Sequence, residues 1–296
     1  MNPTRILNLG AGVQSTTLAL MGVQNWYYWS CSEPLPYPKV GLIDLALFAD
    51  TQGEPKAVYA HLEWLKPQCE QWFPVLTVSK GSLSENLRNG VNSNGQRFIS
   101  IPAFTSDGLG NREGITRRQC TSEYKTEVLE RHIRREVLEL FPGQNCPKDT
   151  GITQLMGLSY DETARVIRVK ARFQALPWEV EFPLWSMEMT RGACKTWLKK
   201  HYPERTIPRS ACVFCPYHSN AEWRTIKESP EDWAEAVRID EGIRDHDWTC
   251  TGQLKQKLYL HRSCVPLAEV DLREQDEKTG QRQFGFLQEC EGMCGV

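Results

Sequence analysis

No run in this 296-residue sequence approaches the ~18 consecutive apolar residues of a membrane span, so no membrane partner is expected. Net charge is nearly absent: 35 Lys and Arg against 37 Asp and Glu leave −2. That excludes bulk attraction to nucleic acid or to an anionic bilayer and leaves room only for a local basic strip. Internal repeats and low-complexity tracts are missing too. With 40% hydrophobic and 24% charged residues, global disorder is excluded. The opening Met1-Asn2-Pro3-Thr4-Arg5 leads into a short apolar segment without a small-residue cleavage site. It does not read as a signal peptide, and the cytoplasm is the expected compartment. What the sequence has in excess is cysteine: 11, an odd number. In a reducing compartment that density points to metal, cluster or redox chemistry ahead of structural disulfides.

Along the chain, short apolar runs alternate with amphipathic ones. Arg5–Leu9 predicts a buried strand. Gly10-Ala11-Gly12-Val13-Gln14-Ser15-Thr16-Thr17 then turns into a helix that continues through Met21. Gln24 to Lys39, rich in aromatics and proline, reads as a loop or insertion. Leu42–Phe48 predicts a second strand, Pro55–Leu65 a helix and Pro74–Val78 a third strand. Asn92–Asn111 reads as a mobile loop, Glu123–Leu140 as a long charged helix and Ile152–Leu158 as a fourth strand. Thr190–Lys200, Ala221–Glu228 and Glu231–Arg244 read as helices, with a cysteine-bearing loop at 208–218. The expected class is α/β: an open parallel sheet with helices on both faces, plus a mostly helical C-terminal part. The expected division is 1–218 for the sheet and its cysteines, 219–270 for a helical extension, and 271–296 for a flexible tail.

The glycine turn offers two readings. Small residues and a helix N-terminus let a backbone cradle phosphate, with Ser15 and Thr16 adding hydroxyls. Alternatively, the glycines serve only a tight strand–helix turn. The glycine spacing is that of neither a Walker A loop nor a dinucleotide fingerprint. Asp50-Thr51 at the end of the second strand, followed by Gly53-Glu54-Pro55, favours the phosphate reading, because ligands of open α/β sheets bind beyond strand C-termini.

Cys212-Val213-Phe214-Cys215-Pro216 is a Cys-x-x-Cys pair. Cys194 lies upstream, and Cys120 lies in Arg117-Arg118-Gln119-Cys120-Thr121-Ser122-Glu123-Tyr124-Lys125. Four thiolates from three segments suit Zn²⁺ or a [4Fe–4S] cluster, and spacing does not separate the two. Arg117, Arg118 and Lys125 form either a cationic setting for thiolate and phosphate or an ordinary charged helix start. Cys31, Cys69, Cys146, Cys250 and Cys264 show no mutual spacing and read as packing residues.

These motifs resemble the PP-loop adenine nucleotide α-hydrolases and, within them, the phosphoadenylyl-sulfate (PAPS) reductase family. Gly10-Ala11-Gly12-Val13-Gln14-Ser15 is similar to the family's Ser-x-Gly-x-Asp-Ser, and Asp50-Thr51-Gln52-Gly53 to its Asp-Thr-Gly. Gly157-Leu158-Ser159-Tyr160-Asp161-Glu162-Thr163-Ala164-Arg165 resembles its arginine-bearing turn. The likeness spans roughly Arg5 to His218. It implies an adenine nucleotide (ATP, adenylyl sulfate or PAPS), with Mg²⁺ if ATP. The implied contacts are Gly10, Ala11, Gly12, Gln14, Ser15, Thr16, Asp50, Thr51, Gly157, Ser159 and Arg165. It also implies that Cys120, Cys194, Cys212 and Cys215 hold a [4Fe–4S] cluster beside the nucleotide, Cys194 replacing one of the adjacent cysteines of adenylyl-sulfate reductases. The tail Glu289-Cys290-Glu291-Gly292-Met293-Cys294 resembles the mobile thiol segment that ends PAPS reductases. Cys290 is thereby implied as nucleophile and Cys294 as a resolving thiol, with Arg165 assisting.

Two enzyme chemistries follow from the resemblance. One is thiol-dependent reduction of an activated sulfate with a thioredoxin-like reductant. The other is ATP cleavage that adenylylates a nucleic acid for sulfur insertion from a sulfur donor, as in DNA phosphorothioation or tRNA thiolation, with Arg131, Arg134 and Arg135 as a backbone-tracking strip. The non-enzyme alternative is a zinc-stabilised nucleotide- or nucleic-acid-binding module.

Overall fold

A computed structural model describes residues 4–96, 99–107, 112–245 and 256–273. Five strands form a parallel sheet: β1 (Thr4–Leu9), β2 (Leu45–Asp50), β3 (Val75–Ser79), β6 (Ile152–Met156) and β7 (Glu179–Glu181), in the order β3-β2-β1-β6-β7. Between β3 and β6 the chain makes two short strands, β4 (Phe104–Ser106) and β5 (Arg112–Ile115). A last strand, β8 (Lys257–Tyr259), pairs antiparallel with β4 and completes a separate three-stranded sheet.

The large sheet is buried on both faces because its strands are apolar at successive positions. Leu7, Ala46, Phe48, Val75 and Leu155 point to one side, where α1 (Val13–Ser30), α2 (Lys56–Glu70) and, later in the chain, a helix at Arg191–His201 cover them. Ile6, Leu45, Leu47 and Ile152 point to the other side, onto Leu129 and Ile133. Those two residues belong to the segment Ser122–Val137, in which α4 (Glu127–His132) is flanked at each end by a π-helical turn, Ser122–Thr126 and Ile133–Val137. A short α3 (Leu83–Arg88) precedes it, and α5 (Thr163–Phe173), α6 (Pro183–Ser186), α7 (Arg191–His201), α8 (Asn220–Lys227) and α9 (Pro230–Asp245) follow. The expected α/β class with helices on both faces is therefore the observed one.

Two local readings change. The segment Gln24–Ser30 is the second half of α1, not a loop. It contains no proline or glycine, and its inward side chains are tied down: Asn25 donates to Tyr37 O and Gly41 O, and Trp26 donates to Ile43 O. The stretch 92–111, read as a loop, carries β4 and buries Ile99, Ile101 and Ala103. Residues of α8, α9 and β8 share one core with Leu83, Leu87, Ile101 and Tyr124.

Candidate nucleotide crevice and cysteine pocket

From β1 the chain winds outward through β2 and β3, then returns to the other side of β1 as β6. The reversal leaves a crevice beyond the C-terminal ends of β1 and β6, the place where open α/β sheets bind ligands. Two turns line it. The first is Gly10–Gly12, leading into α1. That helix starts without a side-chain cap and without an acidic residue in its first turn, so its N–H groups and positive dipole end remain for an anion. Ala11 sits at φ 54°, a left-handed conformation uncommon for alanine. Ser15 Oγ accepts from Gly10 N at 3.1 Å and bonds Gly12 O at 3.4 Å, fixing the loop from within.

The second turn is Gly157–Glu162. Gly157 lies so close to α1 that a Cβ would fall 3.0 Å from Ser15 N. Ser159 and Glu162 form a capping box, and Gln14 donates to both, to Ser159 Oγ at 3.3 Å and to Glu162 Oε2 at 3.0 Å. Gln14 thus bridges the two lips of the crevice. Arg165 is buried and reaches Glu162 Oε1 at 2.6 Å. Thr16 does not face the crevice: it is fully buried, with its hydroxyl 2.9 Å from His61 Nε2. Burial, reinforced by Arg205, lowers the His61 pKa to about 4.

The end of β2 forms a third wall. Asp50 Oδ1 accepts from Gln52 N at 2.8 Å and from the Tyr59 hydroxyl at 2.9 Å, and Gln52 is left-handed at φ 55°. Burial and the Asp50 charge hold the Tyr59 hydroxyl far above its ordinary range, so it is a permanent donor. Beside this wall lies a small pocket, partly open to solvent. It is lined by Cys120, Cys212 and Cys215, with Arg118, Lys125 and Thr51 among their neighbours. Cys194 is not among the lining residues. It is buried in the sheet core with Leu198, and burial pushes its thiol up to about 12.

The loop carrying the Cys-x-x-Cys pair is stitched to the β2–α2 turn. Thr51 Oγ1 lies 3.2 Å from Cys212 Sγ, and Val213 N donates to Gly53 O at 2.8 Å. A Cβ on Gly53 would fall 2.6 Å from the Phe214 ring. Ser210 lies under the glycine turn, 3.6 Å from where a Gly12 Cβ would stand. Sequence reasoning quoted Glu54 without giving it a role. Its side chain is fully buried, with Oε1 3.0 Å from Lys125 Nζ and Oε2 3.2 Å from Ser210 Oγ. One carboxylate therefore ties the pocket to the glycine turn. Its only signal in the sequence was its place just after Asp50-Thr51-Gln52-Gly53.

The donor chemistry of the pocket fits an iron–sulfur or zinc group in kind. Three thiols from two segments line one volume with cations beside them, and none of the described cysteines forms a disulfide. As the side chains stand, no three His, Cys, Asp or Glu groups among the described residues converge to chelating distance. Burial, with Glu54 adding to it, raises the Cys212 thiol well above the ordinary range, while Lys125 and the Thr51 hydrogen bond oppose the shift. Metal binding there would release a proton. Cys290 and Cys294 lie outside the described residues. No helix among the described residues is long and apolar enough to cross a membrane. Comparison with protein-family models, with curated proteins and with solved structures gives no match.

Proposed function

We propose that the chain is an enzyme similar to the PAPS reductases, which binds an adenine nucleotide in the switch-point crevice beside a cluster held in the cysteine pocket, and works in sulfur metabolism or sulfur transfer. The observation that carries this reading is the course of residues 210–215. The same loop packs under Gly12, bonds Thr51 and Gly53, and presents Cys212 and Cys215. A nucleotide at the glycine turn and a metal group in the pocket would be direct neighbours. In this scheme the α1 N-terminus and Ser15 hold phosphate or sulfate, Gln14 and Ser159 close the lips, and Tyr59 orients Asp50. Cys120, Cys212 and Cys215 are the ligands for a [4Fe–4S] cluster, which supplies redox-active iron when bound; Zn²⁺ is the alternative occupant.

The test uses the full chain, purified anaerobically, offered ATP with Mg²⁺, adenylyl sulfate and PAPS in separate reactions. Release of sulfite, lost in Cys290→Ser, supports reduction. Pyrophosphate or AMP from ATP, retained when the chain is truncated after Leu287, supports the adenylylating chemistry instead. A protein that binds none of the three refutes the nucleotide reading altogether. The adenylylating chemistry is kept as a second reading because of the charge of α5.

A further inference from the structure

Three thiols line the cysteine pocket, whereas a [4Fe–4S] cluster is held by four thiolates and a structural Zn²⁺ by four ligands. The other described cysteines do not supply the fourth. Cys69 and Cys194 are buried in the core between the large sheet and α1, and Cys264 is buried with Phe104 and Tyr259. Cys146 packs on the cluster of Leu129 and Ile133 ahead of β6, whereas the pocket adjoins the C-terminal end of β2. Cys31 caps the far end of α1, whose 18 residues put it about 27 Å from the crevice. The remaining candidates are Cys250, Cys290 and Cys294, outside the described residues. The course of the chain favours the last two. At its last described residues, Leu272 O accepts from Arg224 and Arg273 O accepts from Asn220 Nδ2 at 2.8 Å. Asn220 is itself buried and bonded to His261 Nε2. It follows Cys215 by five residues, at most about 18 Å of chain, while the 21 residues from 274 to 294 can span about 70 Å.

We propose that the segment Glu289–Cys294 docks on the mouth of this pocket and that Cys294 supplies the fourth thiolate of the cluster. Charge complementarity selects this segment. Arg118 and Lys125 line the pocket, no carboxylate does, and Arg117 beside them is exposed. Glu289 and Glu291 bring the opposite charge, while Cys250 stands between Thr249 and Thr251. Of the two tail thiols, Cys290 lies between those glutamates, which oppose a second negative charge on its sulfur. Cys294 lies between Met293 and Gly295, without a neighbouring charge. On binding, the Cys294 thiol releases its proton to solvent and its sulfur donates an electron pair to the fourth iron, and neither atom changes oxidation state. Cys290 is then the tail thiol left outside the metal. This inference rests on the cluster reading of the pocket.

The test uses the full chain, reconstituted anaerobically with iron and sulfide and compared with its iron-free form. Labelling with iodoacetamide, read peptide by peptide in a mass spectrometer, should find Cys294 protected about tenfold or more in the loaded protein, together with Cys120, Cys212 and Cys215. Cys290 should be labelled in both forms. Cys294→Ala should lower iron by about one per chain and give the paramagnetic signal of a three-iron cluster, whereas Cys290→Ala should keep the wild-type iron content. Glu289→Lys with Glu291→Lys should speed labelling of Cys294 in the loaded protein about threefold or more. Three results overturn the proposal: Cys294 labelled equally in both forms, protection of Cys250 or Cys290 in its place, or full iron content with an unchanged spectrum in Cys294→Ala. A cluster that forms while Cys294 stays reactive removes this inference alone. A wild type that takes up no iron and sulfide, with Cys120, Cys212 and Cys215 labelled alike in both forms, removes the cluster reading and this inference with it.

Discussion

Replacing Gly157 by alanine puts a methyl group 3.0 Å from Ser15 N, 3.2 Å from Ser15 Cα and 3.3 Å from the Gln14 carbonyl carbon. All three are backbone atoms of the first turn of α1, so no side chain can swing aside to make room. Either the turn after β6 retreats or the helix N-terminus tilts by several tenths of an ångström. Overpacking of this kind costs about 1–3 kcal/mol, and each kcal/mol lowers Tm by about 2–4 °C in a protein of this size class. The displaced atoms are the ones assigned to phosphate, so affinity for nucleotide should fall with stability. Gly12→Asp is the contrasting change. A Cβ there meets Ser210 Cβ at 3.6 Å and Ser210 N at 3.8 Å, ordinary contacts, and Gly12 has extended backbone at φ −98°. That variant should keep its stability to within about 0.5 kcal/mol yet lose nucleotide binding, because a carboxylate opposes phosphate at the positive end of a helix. Urea unfolding and calorimetric titration with ATP measure both quantities. A Gly157→Ala protein as stable as the wild type and equal in affinity would refute the close packing of the two turns.

Three further outcomes are expected. The depressed pKa of His61 means that the unfolded chain takes up a proton near pH 6.5 that the folded chain resists until about pH 4. Its stabilisation is therefore full above pH 6.5 and is lost as pH falls towards 4, about 2 kcal/mol of it between pH 7 and pH 5. His61→Gln should flatten that part of the pH–stability curve, and an unchanged slope counts against the buried neutral imidazole. Glu54→Ala leaves Lys125 without its buried partner and should cost about 3–5 kcal/mol in urea unfolding, part of it recovered by adding Lys125→Met; a loss under 1 kcal/mol would place the pair in solvent. Cys194→Ser should lower stability without lowering bound iron after anaerobic reconstitution, whereas Cys212→Ser should lower iron, and equal iron loss in both would return Cys194 to the metal site.

The large sheet was legible because its signals are local. Arg5–Leu9, Pro74–Val78 and Ile152–Leu158 are apolar runs bounded by turn residues, and each became a strand with small shifts at its ends. The small sheet was not legible. β4 and β8 are three residues each and pair across about 150 residues of chain, so nothing in either segment announces the partner. The aromatics of Gln24–Ser30 suggested a loop by composition, but their helix is decided by tertiary bonds from Asn25 and Trp26. In the site, cysteine spacing grouped Cys212 with Cys215, and the structure has both lining one pocket with Cys120. Cys194, which the resemblance implied as the fourth ligand, lies in the sheet core, and sequence distance does not tell a core thiol from a pocket thiol. Glu54 was hidden for the same reason, since its role exists only once the Ser122–Thr126 turn and the 208–218 loop have folded over it.

The π-helical turn at Ser122–Thr126 has a consequence for the length of the chain. Its closing bond runs from Glu127 N to Ser122 O, one residue longer than an α-helical bond. The extra residue changes the angular offset between Cys120 and Lys125, which are five positions apart and both line the pocket. An α-helical turn would set residues at that spacing on different sides, since helical neighbours fall three and four apart. Deleting Glu123 or Tyr124 would restore ordinary helical register and leave the cysteine and the lysine four positions apart, neighbours on one face, so the pocket pair should survive a one-residue deletion there. Only at the native spacing of five are helix regularity and pocket assembly alternatives, and at that length the fold adopts the wider turn.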